Sequence, residues 1–263
     1  MLDVIKGRMT FIDRVNPITK ITASVMLFIL VVFTHNPNTL FYLTLFVLLT
    51  LIGLSGVKYR YLAGFVIVVL IFGFFSSMYM ILYGEGTTTL FRFGLIHVTE
   101  ESVTRGLHVM MRGLALSFFG ALIIFTTKIT DIFYSLMIQL KLKPKFAYSF
   151  MAAVRMVPII AGEYMMLRRV RKVRKPLIHR RHISGFKGFI TTVITLLSQS
   201  IRRAYRLGIA MESKQFNDGP RTYYHRTFFS RFDSFFIVYM CAVIVFAYLS
   251  GDILQLFDTI DAR

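Results

Sequence analysis

Acidic residues and cysteines are scarce in this chain of 263 residues. It contains 13 Asp and Glu residues against 31 Lys and Arg residues, and a single cysteine, Cys241. A lone cysteine excludes an intrachain disulfide, so nothing in the sequence marks an oxidising compartment. Because Cys241 lies in an apolar run, we interpret it as a lipid-facing or core side chain.

Several motifs that carry chemistry are also absent. Neither GxxxxGKS nor GxxxxGKT occurs, which excludes ATP binding through a P-loop. The six histidines form no HExxH or Cys/His cluster, and His179 and His182 have no third metal ligand nearby. No pair of carboxylates lies within an apolar span, where acids would mark a proton or ion path. We therefore predict no catalytic residue, no metal site and no cofactor.

Hydrophobic residues, in contrast, make up 56% of the chain, whereas roughly 45–50% is usual for a soluble domain. The composition therefore predicts a membrane protein. The net charge of +18 could suggest nucleic acid as a partner. A nucleic-acid reader, however, needs its cations on a water-facing fold with few runs of lipid-spanning length, so we predict no such partner.

The apolar runs predict an all-α membrane protein with about five transmembrane helices; a helix needs about 20 apolar residues to cross the hydrocarbon core, a length that Tyr61–Leu82 and Leu107–Thr126 meet clearly. The predicted spans are Ile21–Thr34, Leu40–Leu54, Tyr61–Leu82, Leu107–Thr126 and Phe235–Leu249. The first two are short and are separated by HNPNT, whose Asn and Pro residues favour a turn. We interpret them as a membrane hairpin.

The distribution of cations predicts the orientation of these spans. Residues 128–231 contain 21 Lys and Arg residues against four acidic residues, a net charge of +17. Treating both Phe146–Gly162 and Gly188–Ile201 as spans would place the cations of Leu167–Arg181 outside, against the positive-inside rule. We therefore predict a cytoplasmic N-terminus, an extracellular C-terminus and three regions. These are a membrane domain (1–127), a cytoplasmic helical region (128–231), and a fifth span with an outside tail (232–263).

Two long helices are predicted within the cytoplasmic region. The first begins near Pro144 and runs through Val173, and Pro158 should kink or divide it. The second has apolar residues at three-and-four spacing and stops at NDGP, residues 217–220. Its apolar face comprises Phe189, Val193, Leu196, Leu197, Ile201, Ala204, Leu207 and Met211. Asp131 can cap a shorter helix ahead of both.

The cations of these helices have two interpretations. They form a solvated face that also contacts anionic lipids, each contact contributing on the order of 1 kcal/mol. Alternatively, the helix ends form a docking surface for a soluble partner. Two further basic residues, His108 and Arg112, lie near the outer end of a span, and we interpret them as snorkelling to the interface.

Two segments carry a resemblance to a known family. FIDRVNPITKI, residues 11–21, is similar to the N-terminal signature of the transmembrane T subunit of energy-coupling factor transporters. The stretch from Thr126 to Glu163 resembles a second signature of that family. Its matching positions are Thr126, Thr127, Asp131, Pro144, Arg155, Pro158 and Glu163. The resemblance covers about Phe11 to Arg221. It implies a non-enzymatic subunit of a transporter that takes up vitamins or transition-metal ions.

The family's hallmark is an Ala-Arg-Gly motif at the end of each of two cytoplasmic coupling helices. The resemblance places the first motif at Val173, Arg174 and Lys175. It places the second within the segment Ala210, Met211, Glu212, Ser213, Lys214 and Gln215, with the motif itself at the last three. Arg174 keeps the family residue and Lys214 keeps its charge, whereas neither motif keeps its glycine. Lys cannot reproduce the forked pairing of Arg.

The resemblance implies that these helix ends dock two ABC-type ATPase subunits. It further implies a small substrate-binding membrane subunit as partner, alongside membrane lipids. Arg155, Pro158 and Glu163 would be structural residues of the first coupling helix. The alternative from the residues alone is a membrane-embedded lipid-modifying enzyme with a basic cytoplasmic face, which would need a carboxylate or His cluster at the bilayer boundary. The transported substrate, whether vitamin, precursor or metal ion such as cobalt, stays open.

Overall fold

The computed structural model describes residues 6–84, 89–93, 96–174, 186–216, 223 and 227–254. Over these residues the chain is almost entirely helical, which confirms the predicted all-α membrane class. The helices are α1 (Pro17–Phe33), α2 (Pro37–Leu54), α3 (Tyr59–Tyr83), α4 (Glu100–Thr126), α5 (Ile129–Gln139), α6 (Pro144–Arg174), α7 (Phe186–Ser213) and α8 (Arg231–Ile253). A 3-10 helix, Phe11–Arg14, precedes α1, and an antiparallel pair of strands, β1 (Thr89–Phe93) and β2 (Ile96–Thr99), lies between α3 and α4.

The chain divides into two compact units. The first consists of Met1–Ile132 together with Thr227–Arg263, and the second of Phe133–Arg226. The first unit thus contains α1 to α4 and α8, whereas the second contains α6 and α7. The division falls within α5.

Asn-Pro pairs start the first two helices. Asn16 and Asn36 each accept a hydrogen bond, through the side-chain oxygen, from the backbone amide two residues further on, both at 3.1 Å. Pro17 and Pro37 then occupy the first helical position, where a missing N–H costs nothing. The predicted HNPNT turn therefore also contains the start of α2.

Helix α4 is the centre of the first unit. It packs against α1, α2 and α3, and α2 packs in turn against α8. The buried side chains at these contacts are large and apolar, and include Leu43, Val47, Leu51, Met111, Phe118, Phe119, Leu122, Phe236 and Met240. Helix α3 differs, because only 6% of its most apolar 18-residue stretch is buried. Its surface is therefore available to lipid or to another membrane protein.

In the described part of the chain, five helices are long and apolar enough to cross a membrane. They are Pro37–Leu54, Tyr59–Tyr83, Glu100–Thr126, Pro144–Val173 and Arg231–Ile253. Four contain predicted spans, whereas Pro17–Phe33 is shorter and Pro144–Val173 was predicted to lie outside the membrane. Pro144–Val173 is predicted to be cytoplasmic because cations flank its apolar part. Length and composition alone do not take those flanking cations into account.

The two long helices of the second unit begin and end close to their predicted positions. Helix α6 covers Pro144–Arg174 without interruption, so Pro158 does not divide it. Helix α7 ends at Ser213, and the predicted NDGP stop lies outside the described residues. Asp131 is the third residue of α5 and not its cap, because the helix begins at Ile129. The β1–β2 pair was not predicted.

A glycine sets the distance between α2 and α8. A Cβ added at Gly251 would lie 2.9 Å from both N and Cα of Thr39 and 2.7 Å from its Oγ1. Because two of these atoms belong to the backbone, no side-chain rotation can make room.

We therefore expect Gly251→Ala to destabilise the protein by about 1–3 kcal/mol through overpacking. The measurement is the free energy of unfolding in detergent. Gly120→Ala, also within a helix, is the matched control, since a Cβ at Gly120 meets nothing within 4 Å and the change should leave stability unchanged or raise it by up to about 1 kcal/mol. Equal stability of the two variants would contradict the close approach of α2 and α8.

Candidate functional site

Helices α6 and α7 pair in opposite directions. Arg171, near the end of α6, donates a hydrogen bond of 2.5 Å to the hydroxyl of Thr192, near the start of α7. Near the start of α6, the ring of Tyr148 lies edge-on to Phe216, just beyond the end of α7, with centroids 5.6 Å apart. These contacts at the two extremities make the pair antiparallel.

An ion pair ties the middle of the two helices together. Glu163 of α6 accepts from Arg203 of α7, and both side chains are partly buried. Among the described residues, Glu163 Oε2 and Arg203 Nη1 are buried without a hydrogen-bond partner. Removing one residue of the pair would therefore leave a charge without its partner in a partly dry position. Sequence reasoning singled out Glu163 but missed both Arg203 and Thr192.

The other two residues expected to shape α6 are exposed. Arg155 and Pro158 lie three residues apart, about one helical turn, and both are exposed. The helix continues through Pro158. The structure thus brings Glu163 to α7 but gives Arg155 and Pro158 no comparable burial.

The first candidate docking segment lies where α6 ends. Val173 is 70% exposed. Arg174 is the last helical residue. The side chain of Arg174 and the whole of Lys175 lie outside the described residues.

The second candidate segment forms a closed helix end. The amide of Phe216 donates to the carbonyl of Met211 at 3.0 Å, and that of Gln215 donates to Glu212 at 2.8 Å. This pattern is a Schellman motif, which satisfies carbonyls at the end of α7. Gln215 adopts a φ of +55° within it, a conformation that favours glycine. All of the segment is exposed except Met211, which is half-buried.

The left-handed conformation falls where the resemblance places a family glycine. The resemblance places the glycine of the second Ala-Arg-Gly motif at Gln215, and the backbone of Gln215 has the geometry for which glycine is suited. Gln215 carries the cost of the geometry as backbone strain.

The antiparallel pairing separates the two segments. Phe216 lies beside Tyr148, so the second segment is at the start of α6, whereas the first is at its end. Arg174 follows Tyr148 by 26 residues, which is about 39 Å along a helix with a rise of 1.5 Å per residue. The two cationic ends therefore lie at opposite ends of the α6–α7 pair.

Replacing Gln215 by glycine should stabilise the protein by about 1 kcal/mol, because glycine adopts positive φ without the steric cost borne by other residues. The measurement is again the free energy of unfolding in detergent. Gln199→Gly, the same change inside α7, should instead destabilise by about 0.5–1 kcal/mol. A Gln215→Gly variant that is no more stable than the wild type would contradict the strained helix end.

A second polar cluster lies in the first unit, where the two family-like segments meet. Lys20 is 1% exposed, and its ammonium donates to the carbonyl of Thr126 at 2.9 Å and to the hydroxyl of Thr127 at 3.2 Å. Lys20 belongs to FIDRVNPITKI, and the two threonines open the second segment. The buried ammonium is thus hydrogen-bonded to the end of α4, in the dry position where such bonds contribute most.

Asp233 supports the same end of the bundle from α8. Its carboxylate accepts from the backbone amide of Asn16 at 2.7 Å and from that of Ser230 at 2.5 Å, and the side chain is 3% exposed. Asp233 was not a predicted site residue. The Ser-x-x-Asp spacing of a capping box, Ser230 to Asp233, was the signal that could have identified it.

The change Lys20→Met should destabilise the first unit by about 1.5–3 kcal/mol, since it leaves the buried acceptors at the end of α4 without their charged donor. Unfolding in detergent measures the effect. Lys128→Met is the matched control, because Lys128 is exposed just beyond the same helix end and its removal should cost less than about 0.5 kcal/mol. Indistinguishable stabilities would show that the Lys20 hydrogen bonds contribute nothing net.

Metal-binding potential is low in the part of the chain that the structure describes. No group of three or more His, Cys, Asp or Glu side chains there is arranged to hold an ion.

Comparison with known proteins places the chain in a family. Residues 8–224 match the family CbiQ, described as a cobalt transport protein. The energy-coupling factor transporter transmembrane protein EcfT of Streptococcus equi subsp. equi is 26% identical over 226 residues, covering 82% of this chain and 83% of that protein.

The EcfT proteins of Streptococcus thermophilus and Listeria innocua are each 25% identical and cover more of the chain. The first aligns over 89% of this chain and 92% of its own length, and the second over 92% of both. The match to the family CbiQ covers both family-like segments and both long helices. The chain belongs to the CbiQ family and is an EcfT-like transmembrane component of an energy-coupling factor transporter.

Proposed function

We propose that this chain is the non-catalytic coupling subunit of its transporter. It would link two ABC-type ATPases in the cytoplasm to a small substrate-binding membrane subunit, for ATP-driven uptake of a vitamin, a vitamin precursor or a transition-metal ion. The ATPases would dock on the segments Val173–Lys175 and Ala210–Gln215. The observation that carries the proposal is the placement of these cationic segments at opposite ends of the α6–α7 pair.

The separation of the two segments favours two partners over one. At about 39 Å along the helix axis, the ends are too far apart to enter a single groove on a small domain. Each end can instead engage its own copy of an ATPase, as a helix seated in a groove. Exposure of Val173, Glu212 and Lys214 leaves both ends accessible.

The contacts between α6 and α7 supply a mechanical connection between the two docking ends. The ion pair Glu163–Arg203 and the hydrogen bond Arg171–Thr192 hold the helices at two points. When the ATPases approach each other on binding ATP, they would move the two helix ends relative to each other, and the helices would carry that shift to the membrane spans.

The orientation in the membrane follows from charge. Residues 128–231 carry +17 of the net charge, which favours their placement on the cytoplasmic side. The N-terminus would then be cytoplasmic and the C-terminus extracellular.

Helix α3 is the proposed contact with the substrate-binding subunit and with lipid. Its surface carries a run of exposed apolar side chains, including Ile67, Val68, Ile71, Phe72 and Phe75. Large exposed apolar surfaces of this kind mark lipid or protein contacts. The substrate itself would be selected by that partner subunit.

Charge reversal at the two ends tests the docking proposal. The double variant Arg174→Glu with Lys214→Glu should lose capture of the co-expressed ATPase pair while still inserting in the membrane. Reversing a charge that meets an acidic groove costs at least 2 kcal/mol, or about a 30-fold loss of affinity, at each end. Native mass spectrometry of the purified complex gives the number of ATPase copies retained. Each single variant should retain one copy.

The matched control is Arg202→Glu with Arg206→Glu. It changes the net charge by the same amount on exposed residues in the interior of α7, away from both ends. This control should retain two ATPase copies. Two copies on the double variant would refute the docking assignment, and loss of both copies from either single variant would refute independent docking at the two ends.

A further inference from the structure

A cavity of about 410 Å³ lies in the first unit, at the end where α1 and α3 finish and α4 begins. This is the opposite end of the bundle from the Lys20 cluster. The lining residues are Val32, His35, Met80, Arg105, His108, Val109 and Arg112. Its volume is in the range of sites that bind small molecules.

The basic residues of the cavity come mainly from one helix face. Arg105, His108 and Arg112 follow each other at spacings of three and four residues on α4, which places them on one side of that helix. His35, just beyond α1, contributes a fourth nitrogen-bearing side chain. In the described residues, neither Asp nor Glu contributes to the lining.

Two groups in the cavity are buried without a hydrogen-bond partner. His108 is only 5% exposed, and its Nε2 has no partner among the described residues; the same holds for Nε of Arg112. His108 is therefore buried within the first unit, and its reach to the membrane interface stays a prediction. A buried polar atom without a partner costs about 1–3 kcal/mol, which a bound acceptor would recover.

We propose that this cavity binds a phosphate group, with His108 and Arg112 as its principal donors. The guanidinium fork of Arg112 matches tetrahedral phosphate oxygens, and no carboxylate among the described residues lines the cavity beside it. The remaining walls, Val32, Met80 and Val109, are apolar and suit the glycerol and first acyl carbons of a phospholipid. Basic pockets between membrane helices bind anionic lipid head groups in this way. This proposal is independent of the coupling function proposed above.

A titration with three compounds distinguishes binding of a phospholipid from binding of free phosphate. Purified full-length protein in detergent is titrated with dioctanoyl phosphatidylglycerol, with inorganic phosphate, or with dioctanoylglycerol, at constant ionic strength. The midpoint of thermal unfolding is measured at each concentration. Saturable stabilisation by the phospholipid alone assigns the site to a head group, and stabilisation by phosphate as well assigns it to the phosphate group itself. Stabilisation by neither, or equal stabilisation by dioctanoylglycerol, would overturn the proposal.

Substitutions of the lining residues test whether the ligand binds in the cavity. His108→Gln and Arg112→Gln should each weaken the apparent affinity tenfold or more, because each replaces a side chain that can carry a positive charge opposite the phosphate by a neutral one. Arg112→Lys keeps the charge but loses the fork, so an intermediate affinity is expected. Arg60→Gln, an exposed change at the opposite end of the bundle, should bind within twofold of the wild type.

Should Arg112→Gln fail to fold, His108→Gln and Arg112→Lys carry the same comparison. Affinities within twofold of the wild type in both of these variants would refute the assigned donors.

Discussion

The buried ammonium of Lys20 fixes the end of α4 within the first unit. It holds the carbonyl of Thr126 and the hydroxyl of Thr127 at the end of α4, directly before α5 begins. Because α4 is also the helix around which α1, α2 and α3 pack, one side chain connects the core of the bundle to the segment that leads into α6.

The two ends of the bundle differ in how their polar groups are satisfied. At the Lys20 end, Asp13, Asp233 and the threonine oxygens meet cations or backbone amides, so charge is balanced internally. At the His108 end, the cavity combines basic side chains with apolar walls and leaves buried nitrogens without partners in the described structure. The first arrangement stabilises a helix junction, whereas the second is suited to receive an acceptor from outside the chain.

Local sequence signals predicted the helices but not the contacts between residues that are distant in the chain. The ends of α6 and α7 follow from proline, apolar spacing and charge, all local signals, and the structure places them within four residues of the prediction. The β1–β2 pair, the Lys20 hydrogen bonds and the Glu163–Arg203 pair join residues distant in the chain or depend on backbone geometry that composition does not encode. Periodicity likewise predicted one face of α7 but not its direction relative to α6, on which the separation of the docking segments depends.

The antiparallel arrangement of α6 and α7 fixes the distance between the two ends of the second unit. Its span is set by the number of residues between Tyr148 and Arg174, not by any single contact, so its length is encoded in steps of about 1.5 Å per residue. Adding one turn to both helices would lengthen it by about 5 Å and keep the facing residues in register, whereas adding one residue to a single helix would rotate its end by about 100°. Variation in such a unit is therefore expected to favour paired changes of whole turns, because partners at both ends must be reached in the same orientation.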